Sequence, residues 1–114
     1  MSFSGELQRG DIVLVHYAFS DGTASKLRPA LVMAIADTYG DALLMAITSQ
    51  ADARHTHAIS NSDLVTGQLP KASWLKANSV TATHLSRISR VVARVKPSVL
   101  QAVHTHICPR LGCQ

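Results

Sequence analysis

The sequence predicts a mainly β, α+β fold: a small, strongly curled barrel of short strands closed by one C-terminal helix. Short β-branched and aliphatic runs recur along the chain, separated by polar or Gly-containing turns. Apolar residues at helical spacing follow Lys96-Pro97-Ser98 near the C-terminus. Aromatic residues make up 4% of the 114 residues and hydrophobic ones 46%, so Val, Leu, Ile and Ala must fill the modest core of one domain spanning residues 1–114.

Arg9-Gly10-Asp11 leads into Ile12–Tyr17, an aliphatic run that reads as the first strand. Ser20–Lys26 holds small and polar residues and reads as a flexible loop. Arg28-Pro29 then opens a strand over Ala30–Ala36, with Pro tolerated at a strand's first residue because its missing N–H needs no partner there. Tyr39-Gly40-Asp41 turns the chain into Ala42–Thr48. Both runs are nearly continuously apolar, as in strands at the middle of a barrel or packed sheet. Further on, the pattern predicts a short strand near Ala58-Ile59, a helical turn in Asn61–Val65, and a strand over Ser73–Val80. A second helical turn follows over Thr83–Ile88, then a strand over Arg90–Val95. The final helix starts at Lys96-Pro97-Ser98, carries Val99, Leu100, Val103 and Ile107 on its apolar face, and stops at Cys108-Pro109.

Charge is unevenly spread. Through Asp63 there are four Lys/Arg and seven acids; beyond it there are seven Lys/Arg and no Asp or Glu, against a net charge of +4 for the whole chain. An acid-free half suits a polyanionic partner, nucleic acid or an acidic protein segment. The few aromatic rings argue against base stacking of the kind used by single-strand binding proteins. No apolar run approaches the ~20 residues that span a membrane. The N-terminal residues lack the basic-then-apolar pattern of a secretory signal, so a cytoplasmic setting with Cys108 and Cys113 reduced is the expectation.

Four segments in order resemble the MazF/PemK toxins. These are Arg9-Gly10-Asp11-Ile12-Val13; Arg28-Pro29-Ala30-Leu31-Val32 after a Gly-containing loop; Ala46-Ile47-Thr48-Ser49-Gln50; and Gly67-Gln68-Leu69-Pro70-Lys71-Ala72-Ser73-Trp74-Leu75-Lys76 followed by Ser86-Arg87-Ile88. The similarity covers about residues 8 to 107. It implies an SH3-like barrel, usually a homodimer, that cuts single-stranded RNA (mRNA) without a metal or other cofactor. It also implies a cognate antitoxin whose extended, often acidic tail lies across the active groove.

Metal-free cleavage makes the neighbouring 2′-OH the nucleophile, so it needs a base, an acid for the leaving 5′-oxygen, and cations around the phosphorane. Arg28 fits the last of these roles, because its planar, always-charged guanidinium matches phosphate oxygens and Pro29 confines it to extended geometry. Thr48, at a strand end, can offer a hydroxyl to a phosphate oxygen, and the resemblance pairs it with the arginine. Lys26, Ser49 and Gln50 are candidate RNA contacts. Lys76 and Asn78 are candidate RNA contacts too, at positions where this sequence departs from the family pattern, which in several members places an arginine and an aspartate there. An amide does not titrate, so Asn78 can position RNA but not move a proton.

His16, at the end of the first strand, is a candidate acid or base, although a strand histidine more often has a structural role. His55 and His57 fall in a polar stretch that either lines a groove or is simply exposed. His104, His106, Cys108 and Cys113 match no known metal spacing, so no metal site is predicted there. Two functions fit these residues. One is an endoribonuclease toxin using Arg28 and Thr48; the other is a non-catalytic module on the same fold, a decayed toxin or an inhibitor of another enzyme such as a topoisomerase.

Overall fold

The computed structural model describes residues 7–18, 25–35, 40–49 and 56–111. The strands are β1 (Asp11–Ala18), β2 (Ser25–Ala34), β3 (Asp41–Thr48), β4 (Thr56–Ile59), β5 (Leu64–Gly67), β6 (Ser73–His84) and β7 (Ile88–Val95), and the helix α1 is Pro97–Leu111. All seven strands form one antiparallel sheet in the order β4-β6-β3-β2-β1-β7-β5. The predicted mainly β architecture with a C-terminal helix is what forms.

The sheet must curl, and the chain shows why. β4 and β5 occupy opposite edges of the order, which in a flat sheet lie about 29 Å apart at ~4.8 Å per strand. Yet a single 3₁₀ turn, Asn61–Asp63, separates them in sequence. Ile59 of β4 and Leu64 of β5 also share one buried cluster with Ile12, Leu31, Met45 and Leu75. The result is a half-barrel whose interior is plugged by Val99 and Val103 of α1. The joining turn is firmly tied: the Ser60 N–H donates to Asp63 Oδ2 at 2.9 Å, and the Lys96 N–H donates to the Asp63 carbonyl at 2.8 Å.

The middle stretches of β1, β2 and β3 are buried on both faces, which explains their nearly continuous apolar runs. Chain neighbours Ile12 and Val13, Leu31 and Val32, and Met45 and Leu44 fall in different clusters, as pleating requires. The second cluster, with Val13, Val15, Ala30, Val32, Leu44 and Ile88, has Leu85 of the 3₁₀ turn Leu85–Arg87 packed against it.

Arg9-Gly10-Asp11 proves to be a clasp of the fold. Gly10 has φ +99° and joins three strands' ends: its N–H donates to the Val32 carbonyl at 2.9 Å, and its carbonyl accepts from the Val95 N–H at 3.0 Å. Arg9 Nε donates to the Met33 carbonyl at 3.0 Å. Asp11, fully buried, accepts from the Gln8 N–H at 2.8 Å and from Arg94 Nε at 2.8 Å.

Several sequence expectations need correction. Arg28-Pro29 does not open its strand; β2 starts at Ser25, because residues 25–27 register against Ala18, Tyr17 and His16 of β1. Lys26 is therefore a strand residue, while residues 19–24 of the expected loop lie outside the described residues. β5 went unpredicted, because its four residues bury only Leu64. β6 runs four residues past Val80, since Thr81–His84 pair with Asp41–Leu44. α1 continues through Pro109 to Leu111, since proline this near a helix end costs one hydrogen bond without stopping the last turn. Cys108 is disulfide-bonded, against the expected reduced state. His55 lies outside the described residues, and His57 is half-buried in β4 opposite Leu75.

Candidate functional site

The β2–β3 ladder begins at Ala30↔Ala46. Carried two residues outward, the same register sets Arg28 across from Thr48, but the strands are not bonded there. Pro29 accounts for the break: it has no N–H to donate, and it holds Arg28 extended. Beside the end of this ladder lies a cleft of about 420 Å³, lined by residues of both strands.

Its walls come from distant parts of the chain. β2 supplies Lys26, Leu27, Arg28 and Pro29, and the end of β3 supplies Ile47, Thr48 and Ser49. Leu14 of β1 and Val92 of β7 line its apolar part, and Arg90 enters from β7. The segment after β5 adds Gln68, Leu69, Pro70 and Lys71, and β6 adds Ser73. That segment is anchored at Leu69, which is buried in the barrel core and donates its N–H to Asn61 Oδ1 at 2.8 Å. Gly67, at φ +79°, lets it leave β5: a Cβ there would stand 2.2 Å from the Val92 carbonyl oxygen.

The cleft is cationic. Lys26, Arg28, Lys71 and Arg90 line it together with the hydroxyls of Thr48, Ser49 and Ser73. Among the described lining residues there is no carboxylate and no imidazole. Among the described residues no acid lies within ion-pair distance of these four cations; the described ion pair, Arg94–Asp11, belongs to the clasp. Unneutralised like charges around a concave surface focus a positive potential on whatever enters.

Nearly all of the chain, residues 8–111, matches the family model for the PemK-like, MazF-like toxin of type II toxin–antitoxin systems. The chain belongs to this family. No curated protein matches it. Solved structures share the fold of this PemK/MazF-like chain. A chain of the MazE–MazF crystal structure (Form-III) from Deinococcus radiodurans superposes with a TM-score of 0.70 at 19% identity, covering 95% of this chain and 98% of that one. An endoribonuclease in complex with its cognate antitoxin, from a mycobacterial species, gives 0.72 at 14% identity, with 96% and 98% covered. An endoribonuclease from a mycobacterial species gives 0.70 at 16%, with 97% and 96% covered.

Lys26, Arg28, Thr48 and Ser49 all line this one cleft. Of the other candidates, Lys76 and His16 do not line it. Lys76 is half-buried on β6 opposite Thr56 and is absent from the lining. Asn78 lies in a bulged stretch of β6: between Leu75↔Ile47 and Val80↔Met45 the ladder advances two residues on β3 and five on β6. Gln50 lies outside the described residues. His16 is exposed in a separate recess of about 220 Å³ with His84, Arg87 and Thr83. His84 is held there by its Nδ1, which accepts the Ser86 N–H at 3.1 Å. Arg90, Lys71 and Gln68 were not predicted as site residues. The acid-free half signalled their charge, but only the curl of the sheet reveals which cations converge.

Proposed function

We propose that this toxin-family chain is an endoribonuclease that cleaves single-stranded RNA in the Arg28–Thr48 cleft. The observation that carries the reading is that Arg28 and Thr48, which the register sets across from each other just beyond the end of the β2–β3 ladder, line one cleft free of described carboxylates. The 2′-oxygen forms a bond to phosphorus, and the bond to the 5′-oxygen breaks. The products are a 2′,3′-cyclic phosphate and a 5′-hydroxyl end. One proton leaves the 2′-OH and one reaches the 5′-oxygen, so charge builds on the non-bridging oxygens in between. Arg28 stabilises that charge through two parallel N–H donors, and Thr48 orients the phosphate. Guanidinium charge takes the role a metal plays in other nucleases, so the reaction proceeds without one.

The same cationic cleft suits an acidic, extended antitoxin segment, and the solved structures of MazE–MazF and of a mycobacterial endoribonuclease with its cognate antitoxin support such a partner. A homodimer is proposed on family grounds alone. One observation favours a second reading, a non-catalytic binding module: no described lining residue is a carboxylate or imidazole able to take the 2′-OH proton. Incubating the purified protein with mixed-sequence RNA in EDTA separates the two. Discrete fragments ending in cyclic phosphate support the nuclease, and RNA bound but left intact supports the module.

A further inference from the structure

Arg28 and Arg90 line the cleft from strands on different sides of β1. Leu14 of β1 registers with Pro29 on one flank and with Arg90 on the other. The strands bearing the two arginines are thus separated by two interstrand spacings, about 10 Å at the backbone. Lys71 reaches the same cleft from the segment anchored by Leu69 and Asn61. Four cations therefore fall into two groups: Lys26 and Arg28 on β2, and Arg90 and Lys71 on β7 and the β5–β6 connection. One phosphodiester carries one negative charge and does not balance four cations spread over walls this far apart. Two consecutive phosphates do so better.

We propose that Arg90 and Lys71 form a second phosphate subsite, which binds a phosphodiester next to the scissile one. Resting on the nuclease reading, this makes Arg90 a positioning residue: it sets the register of the strand so that the scissile phosphate meets Arg28 and Thr48. Arg90 is well placed to do so because β7 is pinned to β1 on both sides of it, by Val15↔Ile88 before and by Asp11↔Arg94 after. Leu14 and Val92 form an apolar surface against which ribose or base can rest.

The test uses an oligoribonucleotide with 2′-O-methyl groups throughout, which binds but offers no nucleophile, followed over a salt series by fluorescence anisotropy. Wild-type affinity is expected to fall with salt at a slope of about −0.7 per phosphate contact. Arg90→Ala and Lys71→Ala are each expected to weaken binding about tenfold and to flatten the slope by about 0.7, with Arg90→Lys retaining most of the slope. Lys96→Ala, which removes an exposed cation outside the cleft lining, is the control and leaves both unchanged. Replacing single linkages by neutral methylphosphonates locates the contact. At one linkage beside the scissile one, the neutral substitution costs the wild type about tenfold and costs Arg90→Ala nothing more. If the wild type binds and Arg90→Ala keeps the wild-type slope, or if the two losses multiply at every linkage, the second subsite is wrong while the nuclease reading stands. If the wild type does not bind RNA, both fall. Thermal melts of each variant exclude misfolding as the cause.

Discussion

Arg94→Ala should destabilise the protein by about 2 kcal/mol while leaving the chemistry of each folded molecule intact. Asp11 is 1% exposed at its side chain and Arg94 is 41% exposed. Removing the arginine strands a buried carboxylate with the Gln8 N–H as its described donor. Breaking a fully buried pair costs about 3–5 kcal/mol, and a hydrogen bond to a charged group contributes about 1.5–3 kcal/mol. The half-open arginine places the loss at the lower end of these ranges. At roughly 4–8 °C per kcal/mol for a domain near this size, the melting temperature should fall by about 10 °C. Urea unfolding gives the free energy, and an unchanged m-value shows that both states keep their compactness. Asp11→Asn combined with Arg94→Ala should lose less than the sum of the two single changes, because no charge is left stranded. A wild-type midpoint for Arg94→Ala, or a cleavage defect beyond the loss of folded protein, would refute the clasp.

Three further outcomes follow from the geometry of the cleft. Gly67→Ala forces a Cβ to within 2.2 Å of the Val92 carbonyl oxygen at φ +79°, so a loss of at least ~2 kcal/mol is expected in thermal melts; a wild-type melt contradicts the placement of β5. Asn61→Ala leaves the Leu69 N–H without its 2.8 Å acceptor and should cost about 1 kcal/mol by urea unfolding, with a raised KM for RNA as the cleft lip loosens; an unchanged KM argues that the lip does not touch substrate. Thr48→Val keeps the shape and removes the hydroxyl, so single-turnover cleavage should slow about 10- to 100-fold with the circular dichroism spectrum retained; an unaltered rate removes Thr48 from the site.

The strand runs were legible because the middle stretches of β1, β2 and β3 bury both faces, leaving a nearly unbroken apolar signature. β5 was not, because its stability comes from pairing with β7 and from a glycine whose role is purely steric. The start of β2 was hidden for a related reason: Ser25–Leu27 have no strand character of their own and extend because β1 registers against them. Within the site, Arg28 was legible because Pro29 announces a special backbone, and that proline turns out to end the β2–β3 ladder. Arg90 and Lys71 come from elsewhere in the chain, and nothing local marks them apart from Arg87 or Lys96. His16 shows the opposite failure: it is close to the cleft residues in sequence and directly opposite Leu27, yet it faces another recess.

The most direct measurement compares wild type and Arg28→Ala in single-turnover cleavage of an RNA that the wild type cuts, in EDTA, with matched melting curves. If Arg28 stabilises the phosphorane, the variant's rate is lower by about 10²–10³, the loss seen when a preorganised transition-state donor is removed. A variant that folds like the wild type and cuts at the wild-type rate would contradict that role and remove the Arg28–Thr48 cleft as the proposed site of cleavage.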